Sequence, residues 1–179
     1  KWAKVSGQKA WNANEDVYTA VQERVTKYVK QGRLGIFGNA YWGSKGFKLT
    51  PEQNLIGLSH YLDALELQRE LAKMMAIFGG KNPHPQSFVV GGVTCVQDIK
   101  NPARIAEFKQ ILKRGRKFTK EAYLPDVYMA GTMYADEALE GIGGGIGNYM
   151  SYGGFNQDDL PFYESSKLFP SGIVKNRDL

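Results

Sequence analysis

The first helical pattern in the chain is a stripe of valines that recur every four residues. Its members are Val17, Val21, Val25 and Val29. Asn14 precedes the stripe, acidic residues fill the first turn, and Gly32 follows the last turn. A short polar side chain before the first turn and a glycine after the last one are typical helix boundaries. The pattern therefore predicts a helix with one apolar stripe.

A longer helical pattern follows. Thr50, Pro51 and Gln53 match a capping box with proline at the first helical position, and Gly79-Gly80 closes the segment. The predicted helix, Pro51–Phe78, would be about 42 Å long at 1.5 Å per residue. Its apolar positions occupy more than one stripe, which predicts that protein encloses the helix on several sides. These positions are Leu55, Ile56, Leu58, Leu62, Leu65, Leu67, Leu71, Met74, Met75, Ile77 and Phe78.

The segments around this helix are shorter. The glycine-rich residues 33–47 predict a loop or a short extended piece. Residues 87–96, SFVVGGVTCV, have the character of a strand that Gly91-Gly92 breaks. Asn101-Pro102 then opens a helix that Gly115 weakens. The apolar face of that helix consists of Ile105, Phe108, Ile111 and Leu112.

The last third of the chain has weaker signals. Pro125 predicts a kink or a restart of the helix. The glycine run 141–147 predicts flexible backbone followed by a short extended piece, and the tail predicts irregular structure with one strand. The predicted fold class is mainly α with small β elements (α+β). Residues 1–179 are expected to form one fragment without an internal domain boundary, and the long helix suggests a larger fold around it.

Composition narrows the classes of protein. Hydrophobic residues make up 42% of the 179 residues and charged residues 23%, as in folded soluble proteins. No stretch reaches the ~20 mostly apolar residues of a membrane span. The chain begins with Lys1 rather than Met and without the pattern of a signal peptide, so we expect a piece of a longer protein. A single cysteine excludes an internal disulfide and a multi-cysteine metal site built from this chain alone.

The net charge of +5 is unevenly distributed. Six basic residues and no acid lie within Lys109–Lys120, KQILKRGRKFTK. Such a segment suits an anionic partner, either nucleic acid or lipid, or forms a solvated helix face.

The sequence does not match the common motifs for binding or converting small molecules. The glycine run Gly141–Gly147 lacks the sixth-position glycine of the dinucleotide-binding template, whichever glycine starts it. His60 has no second ligand at helical spacing beyond Asp63, which predicts a packed core histidine. Cys95 lies among apolar residues, where a buried thiol is normally inert, so a nucleophile pair with His84 has no local support.

His84 is the remaining candidate for chemistry. Pro83 and Pro85 stiffen the backbone on both sides of it, and the long helix ends just before it. The imidazole is therefore predicted to lie on a rigid loop at the end of a long helix. Its role is either a hydrogen bond to a carbonyl inside the fold or a contact with a partner.

At this point a family resemblance becomes informative. The segment YLDALELQRELAKMMAIFGGKNPHPQSFVVGGVTC, with GRLGIFGNAYWG and LTPEQNLIGLSHYLDALE before it, resembles the middle of the large subunit of nickel–iron uptake hydrogenases. The FGGKNPHPQ…VVGGV core is specific to that family, and the resemblance covers essentially the whole chain. It is closest to the membrane-associated hydrogenase-2 type. A full large subunit is about three times as long as this chain.

The resemblance implies a nickel–iron centre in the complete subunit, held by four cysteines in two C-x-x-C motifs. Cys95 matches neither motif, so the resemblance implies no metal ligand and no catalytic residue in this chain. It does imply a loop that faces the small subunit near an iron–sulfur cluster. The loop consists of Lys81, Asn82, Pro83, His84, Pro85 and Gln86. There an N–H of His84 would donate to a cluster sulfide, and Lys81 would add positive field.

The resemblance also implies partners and a location. The intact enzyme would oxidise H2 reversibly and pass electrons to the clusters of the small subunit, whereas the fragment alone should be inactive. The partners would be the iron–sulfur small subunit and the rest of the large subunit, with membrane association only through partners, on the periplasmic side of the inner membrane, and no nucleic acid. Two alternatives remain: a basic α-rich binding module that uses Lys109–Lys120, and an enzyme built on Cys95 and His84.

Overall fold

The structure, a computed structural model, describes residues 1–12, 14–35, 46–158, 160 and 164–175. Most of the loop predicted at residues 33–47 lies outside the described residues. The chain divides into two compact units, Lys1–Met133 and Tyr134–Leu179. The described elements are mainly helical with small antiparallel sheets, which confirms the predicted fold class.

The first unit contains six described helices and one hairpin, whose two strands are two residues long each. The helices are α1 Trp2–Val5, α2 Glu15–Lys30, α3 Pro51–Gly79, α4 Val96–Lys100, α5 Pro102–Phe118 and α6 Leu124–Met133. A π-helical turn, Thr119–Tyr123, joins α5 to α6. Strands β1 Phe88–Val89 and β2 Gly92–Val93 pair antiparallel. The helices α2, α3 and α5 confirm the three helical predictions.

The second unit contains α7, Ala135–Leu139, and an antiparallel hairpin. Its strands are β3 Tyr149–Asn156 and β4 Lys167–Val174, with Met150 opposite Ile173 and Tyr152 opposite Ser171. The prediction of short extended structure and one strand therefore understated two paired strands of eight residues. Glycine, serine and Pro170 interrupt the alternation of polar and apolar residues, which hides these strands from a period-2 search.

Side-chain caps fix where the main helices begin. Asn14 accepts a hydrogen bond from the backbone N–H of Asp16 (3.0 Å) at the start of α2. At the start of α3, Thr50 and Gln53 exchange hydrogen bonds of 2.8 and 3.3 Å, so the predicted capping box is present. These caps satisfy N–H groups that the first turn of a helix leaves unpaired.

The core of the first unit lies between α3, α5 and the π-helical turn. Leu67, Phe118 and Ala122 are buried there, with Trp11, Ala64 and Leu71 packed against them. A Cβ atom at Gly115 would lie 2.8 Å from Cδ2 of Leu71. Gly115 was predicted only to weaken α5, but its missing side chain allows α5 to approach α3 closely.

Trp11 links the N-terminal segment to this core. Its ring meets Phe118 edge-to-face at 5.1 Å, and its Nε1–H donates to Oδ2 of Asp63 (2.8 Å). Its backbone N–H donates to the carbonyl of Glu121 (3.2 Å). That carbonyl is available because Pro125, four residues later, has no N–H to donate to it. Pro125, where a kink or restart of the helix was predicted, thus helps to hold Trp11 against the core.

His60 is buried on α3, as predicted, and its Nδ1 lies 2.8 Å from Oδ2 of Asp126 on α6. Its Nε2 is buried and has no hydrogen-bond partner among the described residues. Burial, together with the nearby carboxylates of Asp126 and Asp63, raises the pKa of Tyr18 on α2. The contact between His60 and Asp126 joins α3 to α6.

Helix α3 is only partly covered by the described residues. Tyr61, Leu65 and Met75 share one face of the helix, by their spacing of four and ten residues, and are about half exposed (52%, 45% and 45%). The buried hydrophobic residues of the described chain are few: Leu67, Ile77, Cys95, Phe118, Ala122 and Met129. The predicted enclosure of α3 on several sides therefore requires protein beyond the residues that the structure describes. In the described part of the chain, no helix combines the length and apolar character that crossing a bilayer requires.

This exposure leads to a prediction about the isolated chain. We expect it to self-associate and to bind an apolar dye, because α3 presents uncovered apolar side chains on one face. Light scattering coupled to gel filtration, together with dye fluorescence, measures both properties. A monodisperse monomer with a sharp cooperative melt and no dye binding would contradict the expectation.

Candidate functional site

The candidate site is the loop Lys81–Gln86, which begins where α3 ends. Gly80 caps α3 in the left-handed conformation with φ of 74°, and its N–H donates to the carbonyl of Ala76 (2.9 Å). A residue with a side chain rarely adopts this conformation, so glycine is the natural residue for the turn. The chain therefore leaves the helix abruptly and enters the loop.

The loop folds back on the last turns of α3. The N–H of Gln86 donates to the carbonyl of Gly79 (2.7 Å), and the side-chain amide of Asn82 donates to the carbonyl of Ala72 (3.0 Å). Pro85 packs so closely that a Cβ atom at Gly79 would lie 3.0 Å from its Cβ. The Asn82–Pro83 peptide bond is cis. The loop is thus held at its start, its end and its packing face by the helix.

His84 lies between these anchored residues and is exposed. Its imidazole has no hydrogen-bond partner within the part of the chain that the structure describes. The interpretation in which His84 bonds to an internal carbonyl finds no support there. Lys81 at the start of the loop is also exposed. Both side chains are therefore accessible to another molecule, on a backbone that α3 holds in place.

A hairpin follows the loop directly. Gly91, in the turn between β1 and β2, has φ of 88°, and the N–H of Thr94 donates to the carbonyl of Ser87 (2.8 Å). The predicted break at Gly91-Gly92 thus falls within a hairpin, with Gly91 in the turn and Gly92 at the start of β2. Phe88 and Val90 are exposed at and beside this turn (70% and 107%). An apolar surface therefore lies next in sequence to the loop.

The structure does not bring Cys95 and His84 into a common site. Cys95 is buried, whereas His84 is exposed. A cavity of about 200 Å³ at the end of α3 has Cys95, Gln86 and Asp98 in its lining, and His84 is not among its lining residues. A buried thiol without a base beside it is a poor nucleophile, so this pair offers no catalytic geometry.

The described residues also do not form a metal centre. Among them, no group of three or more His, Cys, Asp or Glu side chains lies together so as to hold a metal ion. A nickel–iron centre requires several soft thiolate ligands, and the chain has a single, buried cysteine. The donor set therefore does not fit such a centre, and no step of metal chemistry is assigned to these residues.

Sequence reasoning found the loop but missed what holds it. Gly79 was interpreted only as the end of the helix, although its lack of a side chain admits Pro85. The bond from Asn82 to Ala72 joins residues ten apart and has no local sequence signal. A pair of glycines before a proline-rich loop is the one signal that indicates a close approach of this kind.

Replacing Gly79 tests this anchoring, with Gly57 near the start of α3 as a matched control. A methyl group at Gly79 meets Pro85, whereas a methyl group at Gly57 meets nothing within 4 Å. We expect Gly79→Ala to destabilise the loop by about 1–2 kcal/mol and to accelerate amide exchange at Gln86. Gly57→Ala should leave that exchange unchanged while favouring the helix by about 1 kcal/mol. Hydrogen exchange read by mass spectrometry measures both; equal exchange at Gln86 in the two variants would disprove the anchoring.

Comparison with known proteins places this geometry in a family. The model of the nickel-dependent hydrogenase family matches residues 2–179. The large chain of the quinone-reactive Ni/Fe-hydrogenase of Wolinella succinogenes is 44% identical over 92% of this chain. The hydrogenase-1 large chain of Escherichia coli K12 is 40% identical over 88% of it. This chain spans 28% of the length of each of these relatives.

A solved structure agrees in fold. The Ni-Fe-Se hydrogenase of Desulfovibrio vulgaris Hildenborough, in its as-isolated oxidized state, is 32% identical and superimposes with a TM-score of 0.62. The match covers 72% of this chain and 25% of that one. The family match over nearly the whole chain confirms the resemblance, whereas the finer assignment to the hydrogenase-2 type stays a prediction. The chain therefore belongs to the nickel-dependent hydrogenase family and corresponds to a part of the large subunit.

Proposed function

We propose that this chain is a middle segment of the catalytic large subunit of an uptake hydrogenase. The whole enzyme would interconvert H2 with protons and electrons. The observation that carries this proposal is the family match over residues 2–179, together with a span of only 28% of the related large chains. The rest of the large subunit is then the first partner of this chain, and it would cover the exposed face of α3.

The nickel–iron centre of the complete subunit would be held by cysteines outside this chain. The single buried cysteine here is no substitute for four thiolates. We therefore propose that the described residues contribute the long helix and the loop after it, not metal ligands. The chain alone should be inactive for the same reason.

The loop Lys81–Gln86 is proposed to face the iron–sulfur small subunit. Its exposed imidazole, at His84, has no partner within the described residues and is held on an anchored backbone. An N–H donated to a cluster sulfide stabilises the reduced cluster and raises its potential. The charge of Lys81 acts in the same direction. The exposed Phe88 and Val90 of the hairpin would add apolar contact area beside the loop.

The proposed electron path ends in a membrane. Electrons would leave through the clusters of the small subunit, and a relative of this chain carries the name quinone-reactive hydrogenase. Since quinones are lipid-soluble, we propose that the whole enzyme is attached through its partners to the inner membrane, on the periplasmic side. The heterodimer of large and small subunits would be the unit that is attached.

The alternative of a stand-alone basic binding module is not retained. The hydrogenase family accounts for nearly the whole chain, including Lys109–Lys120. Nothing in the described structure favours a nucleic-acid partner, and none is proposed.

Substituting His84 in the assembled enzyme tests the proposed loop. His84→Ala removes a donor that stabilises the reduced cluster, so the potential of that cluster should fall. A tenfold change in the equilibrium of a one-electron couple is about 59 mV, so we expect a fall of tens of millivolts. Nickel content should stay constant because His84 is not a ligand. Redox titration followed by electron paramagnetic resonance measures the potential.

Two further variants separate a hydrogen bond from a general charge effect. His84→Gln keeps an N–H donor at the same place and should lower the potential less than His84→Ala. Lys81→Gln removes a positive charge but leaves the imidazole, and should give only a small fall. An unchanged potential in His84→Ala would refute the proposed contact, and a loss of nickel would mean that the loop instead supports the metal centre.

A second prediction concerns the metal content of the isolated chain. We expect no stoichiometric nickel or iron, because the donor set of the described residues does not fit the centre. Elemental analysis of the purified chain, with the assembled enzyme as the positive control, measures this. About one nickel per chain would contradict the proposal that the ligands lie elsewhere.

A further inference from the structure

One side of α5 and of the π-helical turn carries an unbroken row of cations. We call this row the basic stripe; its members are Lys109, Lys113, Arg116 and Lys120. Their spacing of four, three and four residues places them on one face of the helix, over about 16 Å at 1.5 Å per residue. All four side chains are exposed. No acidic residue lies within Lys109–Lys120 to interrupt the row.

The fold uses the other two cations of the segment but not these four. Arg114 forms two hydrogen bonds of 2.7 and 2.9 Å with the carboxylate of Glu70 on α3. Lys117 lies 3.8 Å from Glu121 and 5.6 Å from the centre of the Trp11 ring. Within the described residues, no ion pair reaches a member of the basic stripe. Its four charges therefore remain unneutralised and repel one another.

The basic stripe points away from the core of its unit. The other side of α5 packs inward: Phe108 meets Phe78 at 5.2 Å, and Phe118 is buried. Two exposed residues border the stripe, Leu112 (49%) and Tyr123 (63%). Leu112 is three residues after Lys109 on α5, so it is a neighbour of the stripe on the helix surface. Tyr123 ends the π-helical turn that contains Lys120.

We propose that the basic stripe lies against anionic phospholipid headgroups in the assembled enzyme. This would be a direct contact between the large subunit and the membrane, beyond attachment through partners. A cluster of four exposed lysine and arginine side chains is attracted to the anionic headgroups of a bilayer, and the exposed Leu112 and Tyr123 add apolar area beside it. Tyrosine favours the headgroup level, and long basic side chains reach from an apolar border to the phosphates.

Other partners fit this surface less well. An acidic protein would neutralise the cations but would gain little from the exposed Leu112 and Tyr123. A nucleic acid would meet the four cations through its phosphates but, like an acidic protein, would gain little from the exposed Leu112. Burial inside the rest of the subunit would cost the desolvation of four cations, each of which would need its own carboxylate. An anionic bilayer surface satisfies the charges and the apolar border together.

The expected strength of binding to an anionic membrane follows from the number of basic residues in the stripe. One basic residue near an anionic membrane surface strengthens binding about fivefold, so four give several hundredfold. The attraction falls off within a Debye length, about 8 Å at physiological ionic strength, and weakens as salt is added. The contact would therefore orient an attached enzyme rather than anchor it.

The test uses the assembled large and small subunits that contain this chain, prepared without any membrane-spanning partner. Co-sedimentation is measured with vesicles of phosphatidylcholine alone and with vesicles that contain phosphatidylglycerol. The stripe variant is Lys109→Gln, Lys113→Gln, Arg116→Gln, Lys120→Gln. The matched control removes the same charge from other exposed lysines of the unit: Lys4→Gln, Lys9→Gln, Lys27→Gln, Lys30→Gln. Hydrogen uptake in solution is recorded for each preparation.

We expect the unaltered enzyme to bind the anionic vesicles at low salt, and binding to the neutral vesicles to be far weaker. The stripe variant should bind the anionic vesicles several hundredfold more weakly, and the control variant should lose much less affinity for them. Equal losses in the two variants would overturn the proposal, because net charge alone would then explain binding. Undiminished binding by the stripe variant would overturn it as well. So would failure of the stripe variant to assemble, since the stripe would then be an internal contact.

This inference rests on the proposed function only for the assumption that the enzyme is attached to a membrane. The two can fail separately in the same experiment. Absence of hydrogen uptake in the unaltered protein would contradict the proposed function, whereas the vesicle comparison decides the role of the basic stripe.

Discussion

The structure of residues 1–133 depends on the apolar surface of α3, which extends around more of the helix than the described residues cover. One side of the helix takes Leu67 into the core beside Phe118. Another face, with Tyr61, Leu65 and Met75, stays about half exposed. Covering a half-exposed leucine or methionine contributes about 1 kcal/mol. Burial of the uncovered face would therefore stabilise the packing of the rest of a large subunit against α3.

The end of the same helix determines where the candidate site lies. Gly80 turns the chain out of α3, Gly79 admits Pro85, and the amide of Asn82 returns to the carbonyl of Ala72. The position of His84 is consequently set by the helix and not by a pocket around its imidazole. A partner that contacts His84 contacts the end of the helix that also organises the core. The loop and the core are thus both positioned by α3.

Local chemistry made the helices predictable. Asn14, Thr50 and Gln53 are caps whose partners lie within three residues, so their sequence alone identifies α2 and α3. The strands of the second hairpin and the packing role of Gly115 were not predictable in this way, because they depend on contacts between distant residues. For the site, the resemblance supplied the loop, whereas its anchoring needed the structure. The nickel–iron ligands are proposed to lie outside this chain, so its sequence could not identify them.

We propose that the rest of the large subunit covers the exposed face of α3. Hydroxyl-radical footprinting of Tyr61 and Met75 tests it most directly, because it reports the exposure of individual side chains. Both residues should be modified readily in the isolated chain and protected in the assembled enzyme. The exposed Tyr123 of the π-helical turn should be modified in both, and the buried Met129 in neither. Equal modification of Tyr61 and Met75 in the chain and in the enzyme would contradict the claim.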